Sequence, residues 1–287
     1  MPNKEHLPYL LRLLEDESPN VREQVVRELV SFGTNLQVEI EAMEGALTFR
    51  QRTLLDTVLS AHRQSTAFQD AWLQWPSLDE EYTKLEAAFE LLAQFQYGWA
   101  PPVRLRELLD DIAERFRGSG RACTPVSLSR FIFTGLKLRG NADDYYNPLN
   151  SNLIYVVQHK LGTPISLACV YMLTGARLGF EITGCNIPGH FLARTRMGGK
   201  ELLVDCFNGG RVLTQEEVDN LHLTLAEAQR YLIHAVPTAE EIIARVLHNL
   251  INAYERIEEL EKSLFARELL HNVSQAMAPH PGRTQHG

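Results

Sequence analysis

The chain is poor in the features that mark secreted, membrane-bound and nucleic-acid-binding proteins. Four cysteines occur among 287 residues, which is too few for disulfides to stabilise a secreted scaffold of this length. None of them forms a C-x-x-C pair. No apolar run approaches membrane-spanning length, and the N-terminus lacks the apolar core of a signal peptide. The formal net charge is −8, so no basic surface predicts nucleic-acid binding. We expect a cytoplasmic protein that binds neither nucleic acid nor membrane.

The composition is that of an ordinary globular protein. Hydrophobic residues make up 45% and charged residues 22% of the chain, which is ordinary for a soluble protein with a core. No cluster of His, Cys, Asp and Glu has the spacing of metal ligands. We therefore expect neither a metal site nor a cofactor. The length predicts one large domain or two to three small ones.

Residues 1–75 are predicted to form a HEAT-like helical segment. Leucines at helical spacing over 7–14 are followed by a break at 16–20, and valines and Leu29 resume the same period. Pro19 suits the first turn of the second helix, which lacks partners for its N–H groups. A weaker second pair is predicted near Gln37–Met43 and Thr48–His62. An ordinary helical subdomain is the alternative to a true repeat.

The C-terminal part of the chain carries a second helical pattern. Residues 237–272 read as two amphipathic helices and resemble one tetratricopeptide unit, with a plain closing helix pair as the alternative. Residues 273–287 are polar and contain proline, so we expect a disordered tail.

Two apolar runs that flank Gly198-Gly199 predict an antiparallel hairpin. If Met197 faces Lys200 across the turn, then His190, Leu192, Asp205 and Phe207 share one face of the sheet, with His190 opposite Phe207. His190 and Asp205 are then diagonal neighbours within hydrogen-bonding reach. A carboxylate held against one imidazole nitrogen frees the other as a base. A slip of one residue would instead leave two unrelated structural side chains.

A buried helix precedes the hairpin. Thr163 is a candidate N-cap and Pro164 suits the first helical position, and the apolar run that follows extends to about Leu178. A strand near Glu181–Asn186 then leads into the hairpin. The order of helix and antiparallel strands predicts an α+β fold, in which the helix packs on a small antiparallel sheet.

A polar, turn-rich loop over 139–152 joins this core to the preceding helices. Loops dense in aromatic, amide and carboxylate side chains often line binding sites, although a hydrogen-bonded structural loop is the alternative for most members. The candidate binding residues in and around this loop are Asn141, Asp144, Tyr145, Asn147, Asn150, Asn186 and Asn208.

Four stretches carry a family resemblance: GNADDYYNPLNSNL, LGTPISLACVYMLTGARLGF, IPGHFLAR and VDCFNGGRVLT. Together they resemble the bacterial transglutaminase-like family named after a regulator of invasion genes, the Sir family, within the papain-like superfamily. The resemblance implies a transglutaminase-like domain over 80–236, followed by tetratricopeptide helices. It also implies that His190 and Asp205 occupy the catalytic His and Asp positions of the superfamily.

The nucleophile is where the chain departs from that family pattern. Active members place a Cys at the start of the buried helix, where the helix dipole lowers the thiol pKa. This chain has Thr163, Pro164, Ile165 and Ser166 there, and Cys169 lies one turn further in. Ser166 is the remaining candidate nucleophile, although a serine in a first turn is usually a helix-end hydrogen bonder.

Two hypotheses follow from this degenerate triad of Ser166, His190 and Asp205. The first is a non-catalytic or weakly catalytic protein-interaction and regulatory module that binds a protein or peptide partner. The second is a hydrolase or acyl-transferase that acts on amide or ester bonds through the three residues.

Overall fold

A computed structural model of the chain describes residues 6–14, 16, 18–32, 36, 66–98 and 101–278. The chain divides into two compact units, Met1–Ala71 and Trp72–Gly287. The described residues form a mixed α and β structure in which helices predominate, and this confirms the α+β prediction.

The first unit contains a short helical pair. Helix α1 covers Leu7–Leu13 and α2 covers Pro19–Ser31, with proline at the start of α2 as predicted. Leu7, Leu11 and Leu29 are almost fully buried between the two helices. Burial of apolar surface is what stabilises such a pair. The second pair predicted near Gln37–Met43 and Thr48–His62 lies outside the described residues.

The second unit contains most of the helices. After a helix over 66–74, the longer elements are α3 (Glu81–Gln96), α4 (Leu105–Arg117), α5 (Pro125–Arg130), α6 (Leu153–His159), α7 (Pro164–Arg177), α8 (Gln215–Thr224), α9 (Ala239–Arg256) and α10 (Leu260–Met277). Short helical turns cover Trp75–Ser77, Phe131–Gly135, Pro148–Ser151 and Glu227–Ile233. No helix in the described part of the chain is long and apolar enough to span a membrane.

Helix α7 is the buried helix that the sequence predicts. Thr163 is its N-cap and Pro164 its first residue, and every residue from Pro164 to Gly175 is buried. Gly175 lets the helix approach the sheet, because a Cβ there would lie 2.4 Å from the side chain of Ile182. The helix therefore forms the centre of the core.

The main sheet has four antiparallel strands in the order β3-β4-β5-β6. They cover β3 (Ile182–Ile187), β4 (His190–Met197), β5 (Lys200–Asp205) and β6 (Arg211–Val212), and a separate parallel pair joins β1 (Arg139–Gly140) to β2 (Leu161–Gly162). Met197 pairs with Lys200, which confirms the predicted hairpin register. One face of the sheet packs with Leu225 and Ile233, and strands β3 and β4 also lie against α7.

Helices α9 and α10 pack against each other at the C-terminal end of the described chain. Trp72 donates an indole hydrogen bond of 3.3 Å to the carbonyl of Leu269 in α10. The helix continues to Met277 rather than ending at residue 272, because Val273 is buried at 1% exposure and extends the packed face.

Candidate functional site

His190 and Asp205 are in contact at one end of the sheet. The imidazole Nε2 lies 3.3 Å from Asp205 Oδ1, and the two side chains are 27% and 5% exposed. His190 begins β4 and Asp205 ends β5, so the hairpin register brings the two together. The Nδ1 atom of His190 has no hydrogen-bond partner among the described residues. The imidazole therefore presents a free nitrogen beside a carboxylate.

Asp205 is held in its ionised form by neighbours. Asn208 donates its backbone N–H to Oδ1 at 3.1 Å and its side-chain amide to Oδ2 at 2.8 Å. Burial raises the pKa of Asp205, but the hydrogen bonds from His190 and Asn208 outweigh it and lower the pKa to about 2. Arg211 lies 3.9 Å from Oδ2 and adds a positive charge. Asn208, a predicted binding residue, thus positions Asp205.

The turn after β5 fixes the position of Asp205. Gly210 donates its N–H to the Asp205 carbonyl at 2.8 Å and accepts a 2.6 Å hydrogen bond from Ser129 Oγ. Its φ is +68°, and a Cβ there would lie 2.1 Å from the Phe133 ring. Only glycine fits this combination of conformation and space.

Phe207 does not face His190 across the hairpin, so that prediction was wrong. Strand β5 ends at Asp205, and Phe207 lies in the turn that follows. Its ring packs on Gly140 and makes an edge contact with Tyr145 at 6.1 Å. The Gly140 N–H also donates to the Phe207 carbonyl, so β1 draws this residue away from the ladder.

Ser166 lies in the first turn of α7 and has no exposed surface. Its hydroxyl donates to the Asn150 carbonyl, with an oxygen–oxygen distance of 2.7 Å, and accepts from the Thr163 N–H at 2.9 Å. Thr163 Oγ1 in turn accepts from the Ser166 N–H, which completes a capping box. Among the described residues, no hydrogen bond joins Ser166 to His190.

Three of the four cysteines are buried. Cys169 and Cys206 are fully buried, and desolvation raises the pKa of each thiol far above its ordinary value. Burial also raises the pKa of Cys185. Because the thiolate is the reactive form of cysteine, these side chains are poor nucleophiles. Cys123 is exposed.

Four of the predicted binding residues hold the 139–152 loop together. Asn141 donates its amide to the Asn150 side chain at 2.9 Å and accepts from the Asp144 N–H. Asn150 donates to the carbonyls of Asp144 and Tyr145. Asn147 accepts from the Leu149 N–H and donates to Asp144 Oδ2. These bonds match the alternative of a structural loop.

The other predicted binding residues have different surroundings. Tyr145 is 40% exposed and makes edge contacts with Tyr146 and Phe207. Asn186 accepts a hydrogen bond from Arg245 of α9, whose guanidinium also donates to the Ile187 carbonyl at 2.9 Å. This long-range contact links α9 to the edge strand β3, whose Ile187 pairs with His190.

A small cavity between the loop and α9 contains residues that the sequence analysis missed. We call it the amide recess, and its volume is about 40 Å³. It is lined by Tyr145, Tyr146, Asn147, Ser151, Thr163, Asn249, Asn252 and Ala253. Asn249, Asn252 and Arg256 recur at helical spacing on the polar side of α9, and this pattern can be seen in the sequence. No pattern in the sequence near these residues predicts that they lie beside Tyr146.

A wider cavity lies at the opposite end of α7. It has a volume of about 710 Å³ between α3, α4 and Arg177. Arg177, which lines this cavity, pairs with Glu86 and Asp110 at 2.8 and 2.5 Å. Its positive charge is therefore already balanced by these two carboxylates. Among the described residues, no group of three His, Cys, Asp or Glu side chains could hold a metal ion.

Comparison with known proteins identifies the family. The model of the transglutaminase-like superfamily matches residues 103–248. The UPF0162 protein of Xylella fastidiosa strain Temecula1 is 30% identical over 203 residues, which cover 67% of this chain and 72% of that protein. The mouse (Mus musculus) F-box only protein 21 is 28% identical over 141 residues, which cover 45% of this chain and 22% of that protein. No solved structure matches the chain. The chain belongs to the transglutaminase-like superfamily.

Proposed function

We propose that this chain uses its transglutaminase-like domain as a protein-interaction and regulatory module and does not catalyse acyl transfer. One observation carries the proposal. The Ser166 hydroxyl, the candidate nucleophile at the start of α7, is fully buried and bonded to Asn150 and Thr163. A serine nucleophile needs a free hydroxyl beside its general base.

Activating Ser166 would require breaking its present bonds. Its proton is donated to a backbone carbonyl, and its oxygen accepts the Thr163 N–H. A hydroxyl that turned away would lose both bonds, and the Thr163 N–H and the Asn150 carbonyl would keep only a longer bond of 3.3 Å to each other. The net cost is about 1 kcal/mol for each bond lost. The bonds that the hydroxyl makes therefore favour the capping role over a nucleophilic one.

The cysteines give no substitute nucleophile in the buried core. The raised thiol pKa values of Cys169, Cys185 and Cys206 disfavour the thiolate near neutral pH. Thiol chemistry of the kind used by active members of the superfamily therefore has no support in this core.

The His190–Asp205 pair has a role in such a module without catalysis. The imidazole is partly exposed, and Asp205 orients it through Nε2. The free Nδ1 can accept a hydrogen bond from a partner's N–H or O–H. His190 is thus a recognition residue in this proposal, and Asp205 and Asn208 position it.

The organisation of the chain supports a module that works beside other segments. In the mouse relative, the segment that is similar to this chain makes up 22% of the protein's length. The proposal also includes three further features of the chain. Its flanking helices are HEAT-like and tetratricopeptide-like, it is a member of the Sir branch of the family, and it is located in the cytoplasm. Its partner is a protein or peptide.

Turnover of model substrates tests the proposal. The intact chain is assayed with an activated aryl ester and an aryl amide, together with His190→Ala and a control, His248→Ala, on the exposed side of α9. We expect each of the three proteins to leave the hydrolysis of both substrates within about twofold of the rate in buffer alone. Loss of turnover in His190→Ala alone would overturn the proposal.

The second candidate function is a hydrolase or acyl-transferase that uses Ser166, His190 and Asp205. The 3.3 Å contact between His190 and Asp205, with a free imidazole nitrogen, favours it. The same assay discriminates between the two functions. An enzyme of this type would lose at least about 100-fold in turnover when either Ser166 or His190 is replaced by Ala.

A further inference from the structure

The amide recess contains polar side chains whose hydrogen-bonding capacity is unused. Ser151 lines the recess, is 3% exposed, and its hydroxyl has no partner within the described chain. Asn249, half-buried, and Asn252, exposed, project from adjacent turns of α9, and neither amide has a partner among the described residues. Ser151 is the buried member of this set, and buried residues nearly always have their polar groups hydrogen-bonded. The Ser151 side chain lines the recess, so a ligand bound there can supply the missing bond and can also reach the two amides.

The size and chemistry of the recess define the group that enters it. A volume of about 40 Å³ holds one or two small polar groups, since a water molecule occupies about 30 Å³. A hydroxyl and two carboxamides offer both donors and acceptors and carry no charge. A neutral amide, which also has one donor and one acceptor side, satisfies them better than an ion does.

A second, wider space lies beside the recess and shares Tyr146 and Asn252 with it. This outer space has a volume of about 460 Å³ and is lined by Tyr146, Asn252, Glu255 and Arg256. The Arg256 guanidinium stacks on the Tyr146 ring at 3.7 Å and has no carboxylate partner in the described chain. Glu255 is paired with Arg267. The free charge in this outer space is therefore positive, although the chain as a whole is acidic.

Tyr145 and Tyr146 form an aromatic wall: both line the recess, and Tyr146 also lines the outer space. Tyr145 and Tyr146 are 40% and 46% exposed and pack edge to face at 5.3 Å. Rigid tyrosines beside amides provide apolar contact at a low entropic cost, as in many peptide-binding surfaces. The wall lies next to Thr163, the N-cap of α7.

We propose that the amide recess binds an extended acidic peptide segment. A main-chain amide of the peptide enters the recess between Ser151, Asn249 and Asn252, and a neighbouring Asp or Glu side chain binds Arg256 in the outer space. The inference rests on the proposed function, because it names the partner class of that module. It adds residues of α9 to the interaction surface.

Titration of the full chain with short peptides tests the inference. The probes are N-acetylated, C-amidated tripeptides with a central glutamate, alanine or lysine, and the signals followed are the side-chain amide resonances of Asn249 and Asn252. We expect saturable shifts with the glutamate peptide and binding about fivefold weaker for alanine, as one partly exposed charge pair provides. Ser151→Ala weakens binding of the glutamate and alanine peptides alike.

A separate variant tests whether Arg256 causes the preference for the glutamate peptide. Arg256→Gln is expected to abolish the preference for glutamate and to leave the alanine peptide unaffected, whereas Arg106→Gln, an exposed arginine on α4, changes neither. Equal binding of the three peptides by the parent chain, or no saturable shift up to about 20 mM, would overturn the inference. These outcomes are independent of ester turnover, which tests the proposed function.

Discussion

The Ser166 hydroxyl and the Asn150 carbonyl are joined by a 2.7 Å hydrogen bond that ties the start of α7 to the polar loop. Both residues are fully buried. The bond makes the helix N-terminus and the loop a single structural unit, and it uses the proton that a nucleophilic serine would transfer to a base.

Ser166→Ala is expected to destabilise the protein by about 2 kcal/mol. The substitution removes the serine's bonds to the Thr163 N–H and to the Asn150 carbonyl, which keep only a 3.3 Å bond to each other. Ser127→Ala, at the matching position of α5, is the control because its hydroxyl accepts one partly buried bond from Thr124; it should cost less than about 1 kcal/mol. Urea unfolding measures both changes. Equal costs would contradict the capping role.

Gly210→Ala is expected to be far more damaging than Gly209→Ala. Both glycines have positive φ, but only at Gly210 would a Cβ meet Phe133 at 2.1 Å. We expect a cost of about 1 kcal/mol at Gly209 from backbone conformation alone. At Gly210 overpacking adds to that and gives about 3 kcal/mol in total. Thermal unfolding of the two variants provides the comparison, and equal melting temperatures would mean that the turn is not packed as described.

Stability should fall in acid because of Asp205. Its pKa is lowered from 3.8 to about 2 in the folded chain. A depressed carboxyl pKa contributes stability that is present above the unfolded value of about 3.9 and is lost as the pH falls towards 2. The contribution is about 2 kcal/mol. Asp205→Asn should therefore flatten the pH dependence of the free energy of unfolding between pH 5 and 2.

The exposed Asp219 of α8 provides the control for that experiment. Asp219→Asn should leave the acid slope as it is in the parent chain. An unchanged slope in Asp205→Asn would mean that the carboxylate does not gain its hydrogen bonds on folding.

Cys123 is expected to be the thiol that reacts with iodoacetamide in the folded protein. It is exposed, whereas Cys169, Cys185 and Cys206 are buried, and their raised thiol pKa values disfavour the thiolate. We expect the buried thiols to react at least about 100-fold more slowly. Peptide mapping by mass spectrometry reads out each site, and all four should react in urea. Rapid alkylation of Cys169 in the native chain would contradict this expectation.

The parts of the fold that the sequence predicts are those governed by neighbours in the chain. The Gly198-Gly199 turn sets the hairpin register, which brings His190 to Asp205. The Thr163 cap and the proline after it depend on one helical turn. Local signals of this kind need no knowledge of distant contacts.

The parts that the sequence does not predict depend on contacts between distant segments. Phe207 leaves the ladder because its ring packs on Gly140, some 67 positions earlier in the chain. The amide recess forms where α9 packs against the helical turn Pro148–Ser151, about 100 residues away. Periodicity identifies α9 as amphipathic but does not identify what its polar side faces. Tertiary packing determines both the position of Phe207 and the formation of the amide recess.

Labelling with a fluorophosphonate probe tests the central claim most directly. The probe forms an oxygen–phosphorus bond with an activated serine and releases fluoride. The account predicts no adduct on Ser166 at a probe concentration that fully labels a known serine hydrolase in the same tube. Stoichiometric labelling of Ser166 that disappears in His190→Ala would contradict it.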